Sequence, residues 1–215
     1  MLGAAVSGHT KRILVATTNP GKIAELSAML DEGIRWVGLS EFPDAGEVVE
    51  DGRTFAENAA KKALGYAEAT GLWTLADDSG LTIDALGGEP GVHSSRYSGQ
   101  VRAGEDRRTI DRRNIEKVLG LMRDVPAEKR TARFACRLCL ARPGRVLLEA
   151  EGRLEGIIAT EPAGENGFGY DPIFFVPAKG RTVAQLTPEE KNAISHRGNA
   201  LRNLRPLLNQ LIDTA

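Results

Sequence analysis

The sequence predicts an α/β fold in which a parallel N-terminal half meets an antiparallel C-terminal half. Residues 12–16 form a short run of the buried-strand type that leads directly into a helix start at Asn19 and Pro20, the strand-to-helix order of a parallel unit. Residues 72–76 form a second buried run, bounded by Gly71 and preceded by an alanine-rich helix. Residues 131–141 and 145–150 flank Arg142-Pro143-Gly144 as a hairpin, and residues 153–159 make a third strand beside it.

Taken in order, residues 1–10 lack the apolar core of a signal peptide and read as a loose tail, leaving residues 11–215 as one domain with room for two lobes. The first strand passes into Thr17-Thr18-Asn19-Pro20-Gly21-Lys22, where Asn19 is a good N-cap and Pro20 suits the first helical position. That helix runs to about Leu30, with Leu26, Met29 and Leu30 as its apolar stripe. A helix N-terminus with free amides and Lys22 beside it attracts phosphate. A P-loop it is not, because Ala16 and Ile23 stand where that motif needs Gly and Ser or Thr. Plain helix capping is the other reading.

An irregular stretch then leads through Glu50 to Thr54 and Glu57, a capping-box pair, and to a helix that Gly71 stops. Asn58 and Lys62 share one helix face and could point at a cleft; Glu57 and Lys61 share another, where an ion pair on a solvated surface is expected.

The strand over residues 72–76 ends in Asp77-Asp78-Ser79-Gly80, which reads as a turn before a second short strand over residues 81–86 and a glycine-rich connection. Carboxylates at the mouth of a sheet cost desolvation energy unless paired, hydrogen-bonded or metal-bound. Successive strand residues face opposite ways, so the two acids have different tasks, unless both simply cap the turn.

Residues 105–122 read as a helix with Ile110, Ile115, Val118, Leu119 and Met122 inward and Arg107, Arg108, Arg112 and Arg113 on a solvated face. The loop over residues 162–172 sets glycines around Phe168 and Tyr170, where backbone can approach a flat ligand and a ring can stack on it, or plug the loop instead. A strand over residues 173–176 follows. Thr187 then caps a helix start, and Lys191, His196 and Arg197 form a cationic cluster before the last helix.

Composition excludes several classes. With 28 basic and 29 acidic residues there is no basic excess for non-specific nucleic-acid or membrane-surface binding; only the arginine-rich helix speaks for nucleic acid. No apolar run approaches the ~20 residues that span a bilayer. The two cysteines, Cys136 and Cys139, lie on a strand with odd spacing, so they face opposite sides and read as buried thiols, and the lack of a disulfide framework fits the cytoplasm.

Five motifs in series carry a resemblance to a known family. Thr17 to Lys22, Thr54-Phe55-Ala56-Glu57-Asn58-Ala59, Ala76-Asp77-Asp78-Ser79-Gly80-Leu81, Gly167-Phe168-Gly169-Tyr170-Asp171-Pro172 and Ser195-His196-Arg197-Gly198 resemble, in the family's order, the inosine triphosphate pyrophosphatases, also called dITP/XTP or non-canonical purine NTP pyrophosphatases. The resemblance spans about residues 11–208. It implies a long mixed β-sheet flanked by helices, two lobes with a central nucleotide-binding cleft, and a homodimer.

By position, Asp78 matches the catalytic acid and metal ligand, and Glu50 the second carboxylate on Mg²⁺. Thr17, Thr18, Asn19, Pro20, Gly21, Lys22 and Lys62 match phosphate-binding groups. Ser79, Phe168, Gly169, Tyr170, Asp171, Lys191, His196 and Arg197 match residues that hold the nucleotide. Thr18 stands where the family usually has Gly. The implied reaction is attack of water on the α-phosphorus, with base choice made by donors such as Arg197 or the backbone amides of residues 168–171 toward a 6-oxo group. A related pyrophosphatase for other modified nucleotides and a non-catalytic nucleotide-binding module are the rival readings.

Overall fold

The computed structural model describes residues 11–17, 23, 26, 29, 30, 33–100 and 104–214. Among these, seven strands form one mixed sheet in the order β2-β1-β3-β4-β5-β6-β7. β1 (Lys11–Val15) pairs in parallel with β2 (Ile34–Gly38) and with β3 (Trp73–Ile83). From β3 onward pairing is antiparallel, through β4 (Thr131–Arg142), β5 (Arg145–Ile158), β6 (Phe174–Val176) and β7 (Arg181–Thr182). The helices with described boundaries are α1 (Phe55–Thr70), α2 (Arg107–Leu121), α3 (Pro188–Ile194) and α4 (His196–Asp213). Of the helix expected after β1, Ile23, Leu26 and Met29 are helical, and its other residues lie outside the described set apart from Leu30, which is a bend.

The parallel and antiparallel halves are therefore one sheet, as expected, but two predicted breaks are absent. Asp77 to Gly80 is not a turn: β3 runs straight through it, paired with β4 from Thr74 to Ile83. Gly80 serves close approach instead, since a Cβ there would stand 2.3 Å from Ser94 Oγ and 2.9 Å from the Gly91 carbonyl. The strands expected over residues 145–150 and 153–159 are likewise the single strand β5. Gly152 sits within it, where a Cβ would come within 2.2 Å of both the Ala200 nitrogen and the His196 carbonyl. It lets the first turn of α4 lie on the sheet. β2 falls in a stretch that reads as irregular from sequence, because five residues leave little room for a pattern.

The core has two main parts, joined by β3 and β4. Leu81, Ile83, Ala132 and Phe134 pack with Ile115, Val118 and Met122 from the α2 region and with Phe174 of β6. Leu75, Cys136, Leu138 and Leu140 pack with Ile13 and Val15 of β1 and with Leu201, Leu204 and Leu208 of α4. On the opposite face, Ala59 and Ala63 of α1 meet Ala76, Cys139 and Ala141, small residues that let the helix approach the sheet closely. Cys136 and Cys139 are buried, free and in different clusters, as their spacing predicts. Asp77 to Gly80 lie on β3 between Leu75 of one main cluster and Leu81 of the other.

The α1 N-terminus departs from expectation in detail. Thr54 Oγ1 accepts from the Glu57 amide at 3.1 Å, but the Glu57 carboxylate accepts from the Arg53 amide at 2.7 Å instead of completing the box at Thr54. Lys61 then pairs with Asp51 and not with Glu57. Both bonds fasten the Asp51–Arg53 end of the loop that carries Glu50. Gly71, left-handed at φ 70, closes the helix as expected.

Candidate active site

Asp77 and Asp78 do point to opposite faces, and each face builds half of a site. On the α1 side, Asp78 Oδ2 accepts from Asn58 Nδ2 at 3.0 Å and Oδ1 from the Ser79 amide at 2.9 Å. Asn58 Oδ1 also accepts from the Gly52 amide at 2.7 Å. One buried asparagine thus ties the strand carboxylate to the loop bearing Glu50. Gly52 is needed for this, because a Cβ would stand 2.6 Å from that oxygen.

Glu50 Oε2 lies 3.0 Å from Lys62 Nζ, which also donates to the Asp77 carbonyl at 2.9 Å. Burial pushes the Asp78 carboxyl above its ordinary value; the Asn58 bond and Lys62 oppose this, and Glu50 adds to it. Glu50 and Asp78 line one cavity of about 650 Å³.

That cavity is continuous in its lining with two others. Glu47, Val48 and Glu50 also line a space of about 640 Å³ walled by Thr17, Lys62, Tyr66 and Asp77. Thr17 is thereby placed with Lys62; Thr18, Asn19, Pro20, Gly21 and Lys22 lie outside the described residues. In the other direction, Ser79 and Ser95 are shared with a more apolar pocket of about 320 Å³, lined by Phe134, residues 166–171, Lys191, His196 and Arg197.

In this third pocket Arg197 Nη2 donates to Asp77 Oδ2 at 3.2 Å, so the other strand carboxylate holds the first turn of α4. The His196 ring stacks on Phe134 at 5.0 Å between centroids, and Phe134 on Phe174 at 4.3 Å. Asp171, only 3% exposed, takes Lys191 Nζ at 2.6 Å. Burial raises the Asp171 carboxyl, against the pull of Lys191 and of the Phe168 amide. Phe168 is 58% exposed, its ring 4.5 Å from Lys191 Nζ. A large exposed ring at a pocket mouth offers a stacking surface.

Three of the four amides of residues 168–171, which the sequence suggested as donors to a base, already have partners within the protein. Phe168 N–H donates to Asp171 Oδ2 at 2.9 Å, and Gly169 N–H to Asp111 Oδ2 at 2.7 Å. The Asp171 amide faces the Phe168 carbonyl at 3.3 Å. These three amides are thereby occupied within the protein, and Lys191, His196 and Arg197 are side-chain donors that line the same pocket. Asp111 and Asn166 belong to the site's surroundings without having been singled out from sequence, and Arg107, read there as part of a solvated face, lines the pocket as well. The signal for Asp111 is present nonetheless, since Asp111 and Asn114 fall on the same stripe as Ile110, Ile115 and Val118.

Among the described residues no three His, Cys, Asp or Glu side chains cluster so as to hold a metal. A pair of carboxylates beside a polar cavity suits Mg²⁺, which keeps waters and takes phosphate oxygens for its remaining positions. The repulsion of Asp78 by Glu50, now opposed by Lys62, is what a divalent cation between them would relieve.

Comparison with known proteins places the chain in a family. A family model described as the Ham1 family matches residues 13–207. The chain is 51% identical over 195 residues to a dITP/XTP pyrophosphatase of Geobacillus kaustophilus, covering 90% of this chain and 92% of that protein. It is 48% identical over 199 residues to the dITP/XTP pyrophosphatase of Bacillus subtilis, covering 92% and 97%. Among solved structures, the Staphylococcus aureus Ham1 protein superposes with a TM-score of 0.84 at 40% identity, covering 93% of this chain and 99% of that one. The Mycobacterium abscessus nucleoside-triphosphatase, a dITP/XTP pyrophosphatase, superposes at 0.75 with 47% identity, covering 91% and 99%.

Proposed function

This chain belongs to the Ham1 family, and from that premise we propose that it hydrolyses non-canonical purine nucleoside triphosphates, ITP, dITP and XTP, to the monophosphate and pyrophosphate, clearing them from the nucleotide pool. The observation that carries the reading is the run of three adjoining cavities: an aromatic pocket, a dicarboxylate chamber and a lysine-walled space, sharing lining residues in that order. Base, α-phosphate and the leaving phosphates of a nucleoside triphosphate follow the same order.

Mg²⁺ held by Glu50 and Asp78 would supply neutralisation of phosphate charge. The protein's own groups do the rest. Asp78 accepts the proton of a water that attacks the α-phosphorus; the bond from that phosphorus to the bridging oxygen breaks, and pyrophosphate leaves toward Lys62 and Thr17. Asn58 holds the Asp78 carboxylate through its amide bond to Oδ2. The purine stacks on Phe168, and Lys191, His196 and Arg197 supply the hydrogen-bond donors that favour a 6-oxo acceptor over an amino group.

The working form is a homodimer, on the strength of the family resemblance, and its place is the cytoplasm, which the lack of a disulfide framework fits. Among the described residues no helix is long and apolar enough to cross a membrane.

The test is pyrophosphate release with Mg²⁺ from ITP, dITP, XTP, ATP and GTP, with product identification. Monophosphate plus pyrophosphate from the first three, and slow turnover of the last two, is expected. Orthophosphate as product, or ATP turned over as fast as ITP, would refute the proposal.

A further inference from the structure

The reaction described above makes no use of the buried polar side of α2. Asp111 and Asn114 are both buried there, one turn apart. Burial of such groups is costly unless their polar atoms find partners, and the partners lie on two walls of the aromatic pocket. Asp111 Oδ2 accepts the Gly169 amide at 2.7 Å, and its Oδ1 meets Arg107 Nε at 2.9 Å. Asn114 accepts the Ser98 amide at 2.8 Å and directs its own amide to the Ser94 and Ser95 carbonyls, each at 3.4 Å. The Tyr170 hydroxyl closes the loop by donating to the Ser94 carbonyl at 2.9 Å.

Gly169 is left-handed at φ 63, and a residue with no side chain cannot be held by packing of its own. Its fixed point is the carboxylate of Asp111. The next residue back, Phe168, carries the exposed ring.

We propose that Asp111 is a positioning residue for purine binding, anchoring the Gly169 amide and thereby setting where the Phe168 ring stands to receive a base. The inference rests on the triphosphate pyrophosphatase reading and deepens it. A carboxylate bond to a backbone amide in a buried setting is of the stronger, charge-assisted kind. Without it the loop samples more conformations, and the ordering cost is met on binding. Asp78 stands on another element and lines another cavity, so the chemical step is spared.

The experiment compares wild type with Asp111→Ala, Asp111→Ser and Asp111→Asn in ITP hydrolysis, and in inhibition by inosine monophosphate and by inorganic triphosphate. The alanine and serine variants are expected to raise KM for ITP and the inhibition constant of inosine monophosphate about tenfold, with kcat within about twofold of wild type. Inorganic triphosphate should inhibit all four proteins alike. Serine keeps a polar group in the buried position but is too short to reach Gly169, so it carries the test if alanine prevents folding. Asparagine still offers an oxygen to Gly169 and should recover most of the loss.

Unchanged KM in the alanine or serine variant overturns the proposal, as does equal weakening of inosine monophosphate and inorganic triphosphate. A wild-type protein that leaves ITP intact would refute the pyrophosphatase reading instead, and direct titration of inosine monophosphate would then still read the effect of Asp111.

Discussion

Lys62 Nζ lies 3.0 Å from the Glu50 carboxylate while donating to the Asp77 carbonyl at 2.9 Å, so one ammonium bridges the loop and the strand on which the two site carboxylates ride. Its position is that of a stand-in cation. A divalent ion held by Glu50 and Asp78 would take over the Glu50 charge, and the Lys62 donor that now faces Glu50 would then be free to turn toward phosphate. Glu50→Gln should keep the fold, because Asn58 still pins the loop through Gly52. It should raise the Mg²⁺ concentration for half-maximal activity by at least about tenfold, the loss that even outer-sphere partners of a metal produce. Titrating activity against Mg²⁺ in the two proteins checks this, and identical metal curves would remove Glu50 from the ion.

Asp78 must be ionised to accept a proton, yet burial raises its carboxyl above the ordinary 3.8. In the metal-free protein the carboxylate should therefore take up its proton at a pH above 3.8, and activity should fall on acidification as it does so. The stability sign is the reverse. A raised carboxyl binds its proton more tightly in the native state than in the unfolded chain, so its ionisation costs stability above the raised value, and the cost is relieved as pH falls through that value toward 3.8. Asp78→Asn should lower kcat by roughly 10²- to 10⁴-fold, the range for a general base. It should also remove this part of the pH dependence of thermal melting in the metal-free protein. Near-normal turnover by the asparagine variant would exclude Asp78 as the base.

Gly152→Ala addresses the packing of α4. The added methyl would meet backbone atoms of Ala200 and His196 at 2.2 Å, with no flexible side chain to yield. Overpacking of this kind costs about 1–3 kcal/mol, and each kcal/mol lowers Tm by about 2–4 °C in a chain of 150–250 residues. Because the atoms displaced belong to the first turn of α4, the expected result is a lower Tm together with weaker ITP binding through His196 and Arg197. A variant that melts and binds like wild type would show that α4 can slide without cost.

What the sequence reveals and what it hides divide along the range of the interactions concerned. Thr54, Gly71, Thr187 and the alternation through Phe134, Cys136 and Leu138 act over a few residues, so the helix ends and the strand are readable from the chain itself. The placement of Asn58 and Lys62 on the cleft side of α1 is readable for the same reason. Gly80 and Gly152 are misread as breaks because what makes them glycine comes from Ser94 and from α4, which local pattern does not contain. Glu57 takes Arg53, and Lys61 takes Asp51, because the incoming loop competes with the intrahelical pair. Asp111 escapes notice because its partner, Gly169, lies 58 positions away in sequence.

Phe168 offers the sharpest separation of binding from folding. Its ring is 58% exposed and belongs to neither main core cluster, so Phe168→Ala should leave Tm nearly unchanged. Stacking of a base on an aromatic side chain is worth about 1–3 kcal/mol by alanine substitution, or roughly a five- to 150-fold rise in KM for ITP. Phe168→Trp keeps a stacking face and should restore most of the affinity. Inorganic triphosphate binding is expected to be indifferent to both changes, since the ring borders the aromatic pocket and not the cavity of Lys62. Steady-state kinetics on ITP beside triphosphate inhibition makes the distinction. Loss of affinity for both ligands in Phe168→Ala would mean that the ring supports the whole cleft, and unaltered KM would mean that the base binds elsewhere.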